Sequence, residues 1–259
     1  MNRKIFSAFF PLLLWTISSP GHSQFLFDHG GIVRGDTSRS ALSLVFTGGD
    51  FADGGQSIRQ TLGEKKVHAA FFFTGDFYRD PANKSIIAGL IKDGHYLGPH
   101  SDKHLLYAPW EKRDSSLVGE KQFKDDLLAN YCIMESFGLK KTLPAFFIPP
   151  YEWYNEIHVR WARQLGVILF NFTPGTSSNA DYTTPDMPSY RSSQSIYDKI
   201  LAYEEQAPHG LNGFILLLHI GTDPSRTDKM YLRLGGLIDE LRKRGYRFER
   251  LDHLLQGAP

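Results

Sequence analysis

Short apolar runs alternate with stretches of helical spacing along most of this chain. Residues 41–46 read as a buried strand, and residues 54–62 follow with apolar side chains at helical intervals. Residues 67–74 form a second strand pattern, ended by Gly75. Asp80 followed by Pro81 is an N-cap with proline at the first helical position. It predicts a helix to about Lys92, where Asp93 and Gly94 stop it. The alternation continues with strands at 96–97, 145–148, 167–172, 214–219 and 246–250, and with helices near 121–137, 156–165, 193–205 and 229–244. Such alternation implies parallel strands joined by helical crossovers. Strands apolar on both faces fit a closed barrel covered by helices. The predicted fold class is therefore α/β, with functional residues at the carboxyl ends of the strands.

The first 23 residues stand outside this pattern. Arg3 and Lys4 precede an apolar run at 5–17, followed by Ser18, Ser19, Pro20, Gly21, His22 and Ser23. That is the layout of a secretory signal peptide, with Gly21 and Ser23 at the small-residue positions before a cut at Gln24. The run is shorter than the roughly 20 apolar residues a membrane span needs. Residues 1–23 are expected to be removed, leaving 24–259 as a single domain, secreted or periplasmic, without a membrane span. No repeat, low-complexity tract or linker divides the remainder.

Composition narrows the classes. The chain has 259 residues, 41% of them hydrophobic, with 29 Lys and Arg against 28 Asp and Glu. This length can bury a sizeable core without covalent staples, and the near-zero charge argues against a nucleic-acid partner. The single cysteine, Cys132, excludes an intramolecular disulfide and a four-cysteine zinc site. Ten histidines point to chemistry, since imidazole both binds metals and moves protons near neutral pH.

Three strand ends carry candidate residues. His100-Ser101-Asp102-Lys103-His104 follows Pro99 and the strand at 96–97. On one helical turn, two imidazoles four residues apart share a face and can grip one metal ion. An oxygen ligand is available in the glycine-rich turn Gly48-Gly49-Asp50-Phe51-Ala52-Asp53-Gly54. His219 closes the apolar run 214–218 at a third strand end. Tyr107, Trp110, Tyr151, Trp153, Tyr154 and Tyr182 fall in or beside strand-end loops, where flat rings suit stacking on sugars. Residues 173–190 read as an ordered loop over the site.

Together these residues resemble the NodB-like polysaccharide deacetylases of carbohydrate esterase family 4, over roughly residues 41–255. The family's His-Ser/Thr-x-x-His motif matches His100, Ser101 and His104, preceded by Asp93-Gly94-His95-Tyr96-Leu97-Gly98. Ala69-Ala70-Phe71-Phe72-Phe73-Thr74-Gly75 is similar to its second strand, and Phe147-Ile148-Pro149-Pro150-Tyr151 to its Arg-Pro-Pro-Tyr motif. Leu216-Leu217-Leu218-His219 resembles its last motif, and Asp181-Tyr182 the acid beside an aromatic in its fourth. The resemblance implies a distorted, incomplete (β/α) barrel of the NodB-homology type. It also implies a divalent metal, with Zn²⁺ the best match, held by an aspartate and two histidines, the latter matching His100 and His104. The implied reaction removes an N-acetyl or O-acetyl group from an acetylated polysaccharide or oligosaccharide. Tyr151, Trp153, Asp181 and Tyr182 would contact that substrate, the Tyr151 backbone N–H would steady the oxyanion, and His219 would protonate the leaving amine.

Two departures from the family pattern are coupled. The first motif, Thr-Phe-Asp-Asp-Gly, supplies a base and a metal ligand, whereas Phe46 is followed here by Thr47 and Gly48. The motif arginine that orients that base is replaced by Ile148. A buried arginine without its carboxylate is an unpaired charge of high cost, so the two losses go together. Asp50 is expected to replace the lost ligand, with Asp53 as second choice, and the remaining one to act as base. Glu152, where the family usually has glycine, and Asp102 are further base candidates. Two other classes fit the same departures. One is a carbohydrate-binding descendant without turnover, and the other a hydrolase of another non-peptide carbon–nitrogen bond, such as a cyclic amide.

Overall fold

The computed structural model describes residues 25–259. The signal peptide expected at 1–23 lies outside the described residues. The chain opens with an antiparallel hairpin, β1 (Leu26–Asp28) and β2 (Gly31–Arg34), which the apolar alternation does not predict. Then follow β3 (Ala41–Gly48), α1 (Gly55–Lys65), β4 (Ala70–Phe73), α2 (Gly75–Arg79), α3 (Lys84–Lys92), β5 (Tyr96–Pro99), α4 (Glu120–Glu135), β6 (Ala145–Phe147) and α5 (Glu156–Gln164). β7 (Val167–Leu169), α6 (Ser193–Gln206), β8 (Phe214–His219), α7 (Leu234–Lys243), β9 (Arg247–Phe248) and α8 (Leu251–Leu254) complete the order. The predicted cap holds: the Asp80 carboxylate accepts from the Ala82 N–H at 2.9 Å, and a 3₁₀ turn beginning at Pro81 leads into α3.

Strands β5, β4, β3 and β8 pair in that order, all parallel, and β9 joins the start of β3. β6 and β7 form a separate parallel pair. Two gaps therefore replace the closed barrel that the doubly apolar strands suggest. Across the first, the Phe146 N–H donates to the Tyr96 hydroxyl oxygen at 3.0 Å. Across the second, Ile32 bridges to Phe170, while the Thr173 N–H donates to the Ile215 carbonyl and the Ile215 N–H to the Thr173 hydroxyl, each at 3.0 Å. The fold is a distorted, incomplete (β/α) barrel.

Both faces of the strands are apolar because both are covered. Val45, Phe72, Ile215 and Leu217 join Phe146, Ile148 and Phe170 in an inner cluster, with Leu251, Leu254 and Leu255 below. Leu44, Phe46, Phe71, Phe73, Leu216 and Leu218 face the helices and pack on Ile58, Leu62, Leu90, Phe123, Leu127 and Leu237. Burying a side chain of this size contributes roughly 1.5–3 kcal/mol. Side chains alternate along a strand, so Thr47 follows Val45, and His219 follows Leu217, onto the inner face. The two residues are partners in register at the ends of β3 and β8.

Candidate active site

The His100 side chain is buried at the end of β5, and its Nδ1 lies 2.9 Å from the Ile148 carbonyl oxygen. A carbonyl only accepts, so Nδ1 carries the proton and Nε2 is left with a lone pair. That Nε2 sits 3.3 Å from Nε2 of His104. Burial holds both imidazoles neutral. It pushes His100 well below the usual histidine range and His104 down to about 4, with the Asp50 charge working the other way on His104.

The two histidines do not meet on a helical turn, which corrects the expectation from their spacing. Pro99 ends β5, and the chain beyond it turns through positive φ at Ser101 (72°) and His104 (52°). Long-range bonds from α4 set this shape. Asp126 accepts from the Ser101 hydroxyl at 2.5 Å, the Asp102 N–H at 2.9 Å and the Lys103 N–H at 3.0 Å. Asn130, one turn further on, accepts from the His100 N–H at 2.9 Å. Sequence reading missed this pair. The available signal was two polar residues four apart on the same face of α4 as Phe123 and Leu127. Replacing Asp126 with alanine strands three donors, so a loss of about 3 kcal/mol is expected, or about 6–12 °C in melting temperature. A thermal melt indistinguishable from wild type would contradict this.

His219 is held by Asp181 through both carboxylate oxygens. Oδ1 lies 2.6 Å from the ring Nδ1, and Oδ2 accepts from the His219 backbone N–H at 2.9 Å. Burial disfavours the charged ring, but the charge and hydrogen bond of Asp181, with help from Glu152, raise its pKa above the ordinary value. Its imidazolium form is therefore favoured relative to that of a free imidazole. Asp181, expected at the substrate, is thus bonded to this histidine by both of its oxygens. It lies in the 3₁₀ helix Ser178–Tyr182, inside the loop anticipated over the site. The fully buried Arg226 fixes the following segment by donating to the carbonyls of Thr183 and Arg191 and to the Ser193 hydroxyl. No sequence pattern singles Arg226 out, because its partners lie more than thirty residues away and include the carbonyls of Thr183 and Arg191.

The acids of the β3 turn separate. Gly48 has no room for a side chain, since a Cβ there would stand 2.7 Å from Ile220 Cγ2 and 2.9 Å from Phe73 Cδ1. Asp50 is exposed, and its charge reaches His104. Asp53 turns toward the segment after β8, accepting from the Thr222 N–H at 2.8 Å and the Tyr231 hydroxyl at 2.9 Å, with Lys229 Nζ also at 2.9 Å. Asp102 is buried against Arg79. Its approach requires Gly75, where a Cβ would fall 1.8 Å from Asp102 Oδ1. Ile148, in place of the family's arginine, is part of the inner apolar cluster.

The aromatic candidates also divide. Tyr107 and Tyr154 are core residues, the latter donating to the Asp28 carbonyl at 2.8 Å. Trp110, Tyr151 and Tyr182 are exposed at the rim. The Tyr151 ring lies 4.4 Å from that of His104, Trp110 contacts both Tyr151 and Trp153, and Tyr182 lies 5.2 Å from His219. Among the described residues, no three His, Cys, Asp or Glu side chains form a ready-made metal site. The His100 and His104 donors nonetheless fit two positions of a divalent ion: both are neutral, and the first is oriented by a carbonyl in the manner of a metal-ligating histidine.

Known proteins resemble this chain to different depths. A peptidoglycan-N-acetylglucosamine deacetylase of Bacillus cereus is 25% identical over 218 residues, covering 83% of this chain and 88% of its own. Among solved structures, a family 4 carbohydrate esterase of Bacillus subtilis superposes with a TM-score of 0.67 at 20% identity, covering 88% of this chain and 85% of its own. A pseudoenzyme of the same esterase family from Bacillus anthracis gives 0.69 at 16% identity, covering 89% and 70%. The polysaccharide deacetylase family model matches residues 34–169, more than half of the chain, including the paired histidines and the turn through Tyr151. The chain therefore belongs to the polysaccharide deacetylase family of hydrolases.

Proposed function

We propose that residues 24–259 act as one catalytic domain that hydrolyses acetyl groups, N-acetyl foremost, from a polysaccharide or amino-sugar glycan outside the cytoplasm. The observation that carries this is the meeting of two imidazole pairings at one end of the barrel. His219, bonded to Asp181, lies within electrostatic reach of both His100 and His104. His100 and His104 would hold a divalent ion, zinc being the best match, with Asp50 as the third ligand. When bound, that ion supplies Lewis acidity, polarising the acetyl carbonyl.

The chain's own residues account for the rest of the reaction. The Trp110–Tyr151 ridge and Tyr182 offer flat faces to sugar rings on either side of the histidines. The Tyr151 backbone N–H donates to the carbonyl oxygen as it gains charge. The His219 imidazolium, its Nδ1 committed to Asp181, delivers the Nε2 proton to the leaving nitrogen. The relation to a peptidoglycan N-acetylglucosamine deacetylase favours N-acetylglucosamine polymers as substrates.

The test is acetate release from chitin oligomers, peptidoglycan and host-type glycans, with and without added Zn²⁺. Metal-stimulated release from at least one of them is expected. Binding of these glycans without acetate release would favour the carbohydrate-binding alternative, and ring opening of cyclic amides would favour another carbon–nitrogen hydrolase.

A further inference from the structure

Each carboxylate around the strand ends except one already has a task. Asp53 is bound by Thr222, Lys229 and Tyr231, Asp102 by Arg79, and Asp181 by His219. Asp50, exposed beside His104, is the third metal ligand of the reading above. The exception is Glu152.

The backbone brings Glu152 into the site at a cost. Tyr151 and Glu152 both adopt positive φ, 56° and 53°, where a side chain is strained and glycine is not. Surrounding bonds impose this conformation. Asn171 Nδ2 donates to the Glu152 carbonyl at 2.8 Å, the Glu152 N–H donates to the Pro149 carbonyl at 3.0 Å, and Trp153 Nε1 donates to the Pro109 carbonyl at 3.2 Å. The segment then crosses the whole site. Its Ile148 carbonyl holds His100, its Tyr151 ring covers His104, and its Glu152 carboxyl comes within electrostatic reach of His219 on β8 and of Asp181 and Tyr182 on the 3₁₀ helix.

We infer that Glu152 is the general base of the acetyl hydrolysis, replacing the carboxylate that the end of β3 lacks, where Thr47 stands in the base position. This rests on the deacetylase reading above. Burial raises the Glu152 pKa to about 7, with His219 lowering it and Asp181 raising it, and no hydrogen bond contributes. A base poised near the working pH is the efficient one.

The step balances without another reactant. Glu152 takes one proton from water as the water oxygen bonds to the carbonyl carbon. The carbon–nitrogen bond then breaks while His219 gives its proton to nitrogen. Glu152 passes the proton it took to His219, leaving acetic acid and a free amine with both residues restored.

The experiment compares wild type, Glu152→Gln and Glu152→Gly on an N-acetylglucosamine oligomer, in the metal-loaded full chain. Glu152→Gln is expected to lower kcat about 10²-fold or more, to leave KM little changed, and to abolish the loss of rate below neutral pH. Glu152→Gly is expected to be equally slow yet to melt about 2–4 °C higher, because the strain is relieved. Added formate should restore part of its rate. A merely structural Glu152 would not give higher stability with lower rate and rescue by a small carboxylate. An active wild type whose Glu152→Gln rate and pH profile are unchanged overturns this inference alone. A wild type inactive on every acetylated glycan overturns the deacetylase reading, and this inference with it.

Discussion

Replacing His219 with alanine is expected to slow acetyl hydrolysis by about 10²- to 10⁴-fold, the usual contribution of a positioned general acid. The loss should fall on kcat, because in the proposed mechanism the ring gives a proton at the transition state and adds little to binding. Asp181→Asn is expected to share much of this effect. Asp181 accepts two bonds, one from the ring and one from the backbone N–H of the same residue. Asparagine has one acceptor oxygen, so one of the two contacts would set a donor against a donor. Losing the carboxylate also removes the charge that raises the His219 pKa. The acid form would then be lost at lower pH, and the alkaline limb of the rate profile should move downward. Rates of the two single variants and the double variant, with pH profiles, check this. Because the residues act as a unit, the double variant should be little slower than His219→Ala alone. A His219→Ala rate equal to wild type contradicts the assignment.

The second large effect concerns the metal. His100→Ala is expected to lower Zn²⁺ affinity by more than about 100-fold, beyond the 10- to 100-fold typical of losing an outer-shell partner. The alanine variant should remain folded, since the turn is fixed by backbone donors to Asp126 and Asn130 and not by the ring. Competition with a chelator measures the affinity, and a thermal melt tests the fold. Asp50→Ala should weaken binding less, because Asp50 lies on an exposed turn. Equal zinc affinity in wild type and His100→Ala would remove the basis for placing an ion between these histidines.

What could be read from the sequence follows from how local each signal is. The β3, β4 and β8 strands were visible because residues such as Phe71 to Phe73 and Leu216 to Leu218 are buried on both faces. His219 was visible because it ends such a run. The histidine pair was visible as a motif, but its geometry was not. Asp126 and Asn130, from a helix more than twenty residues later, decide that Ser101 and His104 take positive φ. Asp53 and Asp50 could not be ranked from sequence, since only the folded segment after β8 brings Lys229 and Tyr231 to Asp53. The β1–β2 hairpin was missed because its strands are short and Leu26 and Phe27 remain exposed. The loss of the β3 acids and of the motif arginine was legible as a pair in the sequence. The structure adds the packing reason: Gly48 admits no side chain, and Ile148 fills apolar space.

The same coupled loss makes turnover the decisive question. The most direct measurement is the yield of acetate and of free amine from a purified N-acetylglucosamine oligomer incubated with the Zn²⁺-loaded chain. The expected result is the two products appearing in equal amounts, with the rate collapsing in His219→Ala. Neither product above the level of the His219→Ala variant would contradict deacetylation by this site.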